Sequence, residues 1–209
     1  MSASASAAPG ESAPARKRRR ILEAAERLFA RHGFAKTVVS EIAAEAGVSK
    51  GLVYVHFPSK EALLAEVWMG QVARWRRTTG RAVAEAPTAP EKLARLLRTS
   101  IAYVEEHPLL RSHLAQDPAV YLGPTAEGAE FVAAYLEAVT GLLELGVRSG
   151  ELRADLDVAR TAELVWHLHF CLVRELFVTP LRGARRDGLD LVEAAVRLLA
   201  SGVSPAPAH

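Results

Sequence analysis

The sequence predicts an all-α fold, on three observations. Ala and Leu dominate while aromatic residues make up only 6% of the 209 residues. Apolar positions recur at helical spacing, and Gly and Pro fall at intervals that cut the chain into helix-length pieces. Half of the residues are hydrophobic, enough to bury a sizeable core. Cys171 is the single cysteine, which excludes an intrachain disulfide and a cysteine-based zinc cluster. The first residues lack the apolar run of a secretory signal, so a reducing cytoplasm is expected. His167 and His169 interrupt the richest apolar stretch, Leu164 to Val173, and no membrane span is expected.

The elements follow from the breaks. Residues 1–15 are Ser/Ala/Pro-rich and 203–209 are similar, so both are expected to be disordered tails. A first helix begins near Arg16 or Lys17, carries Ile21, Leu22, Ala25, Leu28 and Phe29 on one face, and stops at His32 and Gly33. A second, short helix shows Val39, Ile42, Ala43 and Ala46 on one side and ends at Gly47. Ser49 is a capping residue for a third segment that Pro58 closes. Pro58 and Ser59 then open a long helix whose stripe of Leu63, Leu64, Val67, Trp68, Val72 and Trp75 runs towards Pro87. Further Gly and Pro residues divide the remainder into helices near 90–106, 109–116, 125–148, 157–178 and 188–201. Residues 16–62 thus form one small domain and 63–202 a larger helical one.

Charge is unevenly spread along this frame. Residues 16–60 hold ten Lys or Arg against four acids, while residues 61–209 carry a net −3. A basic front end on a mildly acidic body suits a polyanion. Two short helices joined by a tight turn at Gly47, with Ser49 capping the second, fit a helix-turn-helix, whose second helix lies in the major groove of DNA. Ile42, Ala43, Val48, Val53 and Phe57 then pack the helices together. Ser49, Lys50, Gly51, Leu52, Tyr54 and His56 are left facing outward as candidate DNA contacts. The run Arg16 to Arg20 is either a solubilising tail or an arm that contacts phosphate or the minor groove.

These residues carry a resemblance. Gly33-Phe34, Thr37, Ile42-Ala43, Ala46-Gly47-Val48-Ser49-Lys50-Gly51, Tyr54, Phe57, Ser59-Lys60 and Leu63 together resemble the N-terminal signature of the TetR/AcrR family of transcriptional regulators. The resemblance implies that Thr37, Tyr54, His56 and Lys60 hold phosphates while Lys50, Gly51 and Leu52 face base edges. It also implies a homodimer and a ligand pocket in the helical body. Two positions depart from the pattern: Val38 stands where a hydroxyl usually caps the second helix, and Leu52 where Thr is common. Leu52 suggests contact with a thymine methyl.

In the body, Trp68, Tyr103, His107, Phe131, Tyr135, Trp166, His167 and Phe170 are candidate effector-binding residues, since sparse aromatics with a few polar tips are either core or pocket. An uncharged or weakly polar hydrophobic effector fits them. His167 and His169, two apart on a helix, point to different faces and do not make a metal site. His113 and Asp117 lack a third ligand, so no metal or other cofactor is expected. Leu164, Val165, Leu168, Cys171, Leu172 and Leu176 on one helix, with Leu189, Val192, Ala195, Val196 and Leu199 on the next, are either an intramolecular core or, by the resemblance, a four-helix bundle between two subunits. No nucleophile with a base, Gly-rich phosphate loop or metal set stands out, and an enzyme is not expected. The reading is a DNA-binding regulator: either a repressor released from a palindromic operator by a small hydrophobic effector, or a regulator with no small-molecule effector.

Overall fold

The computed structural model describes residues 12–111, 126–177 and 185–204. They form α1 (Ala13–His32), α2 (Val39–Ala46), α3 (Lys50–His56), α4 (Lys60–Ala84), α5 (Ala89–Glu106), α6 (Ala126–Ser149), α7 (Val158–Phe177) and α8 (Arg185–Val203). A further helical turn covers 108–111, and no strand occurs among the described residues. The expected all-α class holds. The rest of the helix expected at 109–116, with His113 and Asp117, lies outside the described residues. The chain divides into two compact units, residues 1–70 and 71–209.

In the first unit, α1 starts at Ala13, earlier than expected. Ser12 Oγ accepts the Ala15 N–H at 3.3 Å, and Pro14 occupies the first turn, where its missing N–H costs nothing. Residues 12–15, expected in the tail, are therefore outside it; 1–11 lie outside the described residues. The basic run is correspondingly a helical surface, not an extended arm. Arg19 pairs with Glu23 at 2.7 Å, and the Arg18 guanidinium lies 5.0 Å over the Phe57 ring and 2.7 Å from Glu66. Ile21, Ala24, Ala25, Leu28 and Phe29 form the buried face of α1, at the spacing of a single helical stripe.

The turn between α2 and α3 is a Schellman motif. Gly47 is left-handed at φ 63°; its N–H reaches Ala44 O at 3.1 Å and the Val48 N–H reaches Ala43 O at 3.0 Å. A Cβ at residue 47 would also meet the Arg20 guanidinium. Ser49 Oγ then accepts the Leu52 N–H at 3.2 Å, which starts α3 at once. The start of α2 is only half capped. Val38 offers no acceptor, while Glu41 Oε2 still accepts the Val38 N–H at 3.4 Å. Because Val38 is exposed, Val38→Thr is expected to stabilise the protein by about 1 kcal/mol and to raise Tm by about 2–4 °C in calorimetry.

In the second unit α5 packs against α6, α7 and α8. Thr88 Oγ1 caps α5 by accepting the Glu91 N–H at 3.4 Å, and Arg98 on α5 grips Glu193 on α8 through two bonds of 2.7 and 2.6 Å. Both partners of that pair are largely exposed, so it orients the helices more than it stabilises them. Val203, expected in the C-terminal tail, is buried at the end of α8, and its carbonyl accepts the Arg153 N–H at 3.1 Å. Residues 205–209 lie outside the described residues.

The stripes proposed for α7 and α8 mixed two faces. Val165, Leu172, Val192, Ala195, Val196 and Leu199 are buried within the single chain. Leu164, at 61% exposure, and Cys171 face outward, Leu168 and Leu176 are half-buried, and the side chain of Leu189 is not among those described. On α8 the outward apolar residues are Leu191 and Leu198, at 46% and 71% exposure. A helix buried on one side puts residues one apart roughly 100° apart, which separates Leu164 from Val165.

Candidate DNA interface and effector site

The outward surface of α3 is built from its cap. With Ser49 closing the first turn and Val53 and Phe57 buried beneath, Ser49, Lys50, Gly51 and Tyr54 are exposed, and Leu52 and His56 are half-buried. Lys50 Nζ lies 6.0 Å over the Tyr54 ring, so a cation and an aromatic hydroxyl share one patch. A Cβ on Gly51 would meet nothing within 4 Å, leaving backbone open to a close approach. Val55, absent from the outward set read from the sequence, is the most exposed large hydrophobic among the described residues at 77%. Its position, one residue past Tyr54 and three past Leu52, was the available signal.

Thr37 departs from its expected phosphate contact. It is fully buried, and its hydroxyl donates to the Gly33 and Leu28 carbonyls, at 2.8 and 3.2 Å. Its side chain ties the end of α1 to the start of α2. Lys60 is partly engaged by the same corner: Nζ donates to Phe34 O at 2.8 Å and Thr37 O at 3.1 Å and sits 4.2 Å over the Phe34 ring. A phosphate would meet only the donor capacity that remains.

The effector candidates separate into groups. Trp68 is buried but falls in the first unit. Tyr103 hydrogen-bonds through its hydroxyl to Gln71 (O 3.1 Å, Oε1 3.0 Å) and stacks on His107 with centroids 3.6 Å apart. Phe131, Tyr135, Trp166 and Phe170 form a second cluster, joined by Trp75 and His169. Trp75 stacks on Tyr135 at 5.7 Å and donates its Nε1–H to Ser100 Oγ at 3.0 Å. His167 is instead exposed, with Nδ1 2.7 Å from Glu163 O on its own helix. Of the two it is His169 that is buried, on one stripe with Trp166, Phe170 and Val173. Burial pushes the His169 pKa down to about 3 and that of the Tyr135 hydroxyl upward, so both are neutral. Beside the cluster, an open groove of about 400 Å³ runs along Trp75, Thr79, Val83, Leu96, Ala138 and Leu142, with the Arg76–Glu137 ion pair, 2.9 Å, among its lining residues.

Residues 21–67 match the family described as bacterial regulatory proteins, tetR family. The HTH-type transcriptional repressor KstR2 of Rhodococcus jostii RHA1 is 30% identical over 188 residues, covering 87% of this chain and 86% of the relative. The chain belongs to the TetR family. A second relative of this TetR-family chain, the fatty acid metabolism regulator protein of Bacillus subtilis 168, is 26% identical over 193 residues, 88% of this chain and 93% of the relative. The crystal structure of the regulator FadR from Bacillus subtilis in complex with stearoyl-CoA superposes with a TM-score of 0.66 at 24% identity, covering 88% of this chain and 98% of that one. The second unit of this TetR-family regulator therefore shares its helical architecture with a solved relative. No helix among the described residues is long and apolar enough to cross a membrane.

Proposed function

We propose that this TetR-family regulator is a cytoplasmic repressor: residues 16–62 of two protomers bind a palindromic operator, and a small hydrophobic effector bound within residues 63–202 releases it. The observation that carries the DNA reading is the capped α3, which presents Lys50, Gly51, Tyr54 and Val55 outward over a buried Val53 and Phe57. One such helix reads few bases, and a two-fold pair reads two half-sites. The apolar side chains turned outward in the single chain, Leu164 and Cys171 beside the half-buried Leu168 on α7 and Leu191 and Leu198 on α8, make up the strip assigned to dimerisation. The aromatic cluster and its groove support an apolar effector, and a relative solved with stearoyl-CoA supports an apolar chain within it.

The test is operator selection from a randomised duplex library, followed by competition binding. Lys50→Ala is expected to cost about 1–3 kcal/mol and to relax preference at one base position. Tyr54→Phe is expected to weaken every sequence alike. A uniform loss for Lys50→Ala would place that lysine on phosphate, and unchanged affinity for both variants would remove α3 from the interface.

A further inference from the structure

The aromatic cluster of the second unit contains an unexplained cost. Tyr135 on α6 and His169 on α7 are completely buried with ring centroids 4.7 Å apart, and neither Tyr135 Oη, His169 Nδ1 nor His169 Nε2 has a hydrogen-bond partner among the described residues. A desolvated hydroxyl or imidazole without a partner destabilises a core, and apolar side chains of similar size would fill the same space without that penalty. The surrounding rings of Trp75, Phe131, Trp166 and Phe170 supply none. Packing among the described residues therefore does not account for these two side chains.

We infer that Tyr135 and His169 are the polar recognition pair of an internal site for an apolar molecule bearing one neutral oxygen, a ketone, ester carbonyl or hydroxyl. The inference rests on the effector reading above. A phenol and a neutral imidazole offer donors and acceptors without formal charge. They match a carbonyl, which takes their hydrogens, or a hydroxyl, which both gives and takes. A carboxylate is disfavoured, since the pair supplies no cation to offset an anion taken out of water. The rest of such a molecule meets aromatic surface. The Trp75 ring that stacks on Tyr135 also lines the open groove, and its indole is bonded to Ser100. In the inferred site this ring is the gate: turning it, with loss of the Ser100 bond, would join the groove of about 400 Å³, a volume suited to a small ligand, to the buried pair.

Full-length protein, Tyr135→Phe and His169→Leu are titrated with 2-decanone, 1-decanol, decane and decanoate, followed by tryptophan fluorescence, melting temperature and release of operator DNA. The ketone or the alcohol is expected to bind wild type about tenfold more tightly than decane or decanoate, and each substitution to remove that preference. Without ligand, Tyr135→Phe is expected to melt no lower than wild type, because it deletes only an unsatisfied group. A fall of several degrees would mean that the pair holds the core together, and would overturn the assignment. So would equal binding of ketone and alkane, binding that both variants retain, or no binding by any of the four. Ketone that binds through the pair yet leaves operator affinity unchanged would uphold the site and refute the effector reading. Release of operator by ketone that binds all three proteins equally would do the reverse.

Discussion

Leu198→Glu is expected to give a folded monomer that has lost operator binding by a hundredfold or more. Leu198 is 71% exposed in the single chain, so a carboxylate there meets water and leaves the fold intact. In a dimer built on the open strip of α7 and α8 the same carboxylate is desolvated without a partner, at a cost of several kcal/mol. Separated protomers then lose the paired half-sites on which readout depends. Val196→Glu, two residues earlier, is the control. Val196 is 6% exposed within its own chain, and a charge there is expected to unfold the second unit, since an uncompensated buried charge costs about 3–5 kcal/mol. Sedimentation and circular dichroism separate the two outcomes. A dimeric Leu198→Glu protein would move the interface off this strip.

Acid is expected to destabilise the protein through His169 from about pH 6.5 downward, before carboxylates begin to titrate. In the folded chain burial holds the His169 pKa down to about 3, whereas the unfolded chain protonates at about 6.5. Between those values the unfolded state binds a proton that the folded state refuses, so stability rises with pH by about 1.4 kcal/mol per unit. The contribution is complete above about pH 6.5 and is lost progressively as pH falls towards 3, reaching about 2.7 kcal/mol at pH 4.5. Urea denaturation of wild type and His169→Leu between pH 7.5 and 4.5 isolates it, since the remaining titrating groups are common to both. Parallel curves would mean that His169 is charged or partnered when folded.

Much of the architecture was legible because it is local. Gly47 ends α2 in a left-handed turn and Ser49 caps α3, and each effect needs only a neighbouring residue's backbone. The same locality located α5, α6 and α7 to within a residue or two, since Pro and Gly stop helices wherever they stand. The start of α1 was missed because composition outweighed a capping serine and a proline in the first turn. The candidate site was legible only in part. Lys50, Gly51 and Tyr54 were placed on the outer surface by the helix-turn-helix reading, which left out Val55 although it faces outward.

The sequence by itself determined that this chain is helical, where its helix-turn-helix lies and how its short helices are capped, because those properties depend on spacing and on groups a few residues apart. Tertiary structure decided which face of each helix is covered. Thr37 is turned inward by the Gly33 and Leu28 carbonyls, Val165 faces the core while Leu164 does not, and His169 is buried where His167 is exposed. A helical stripe identifies residues that share a side, but only the helices packed around it, contributed by distant parts of the chain, settle whether that side meets protein or water.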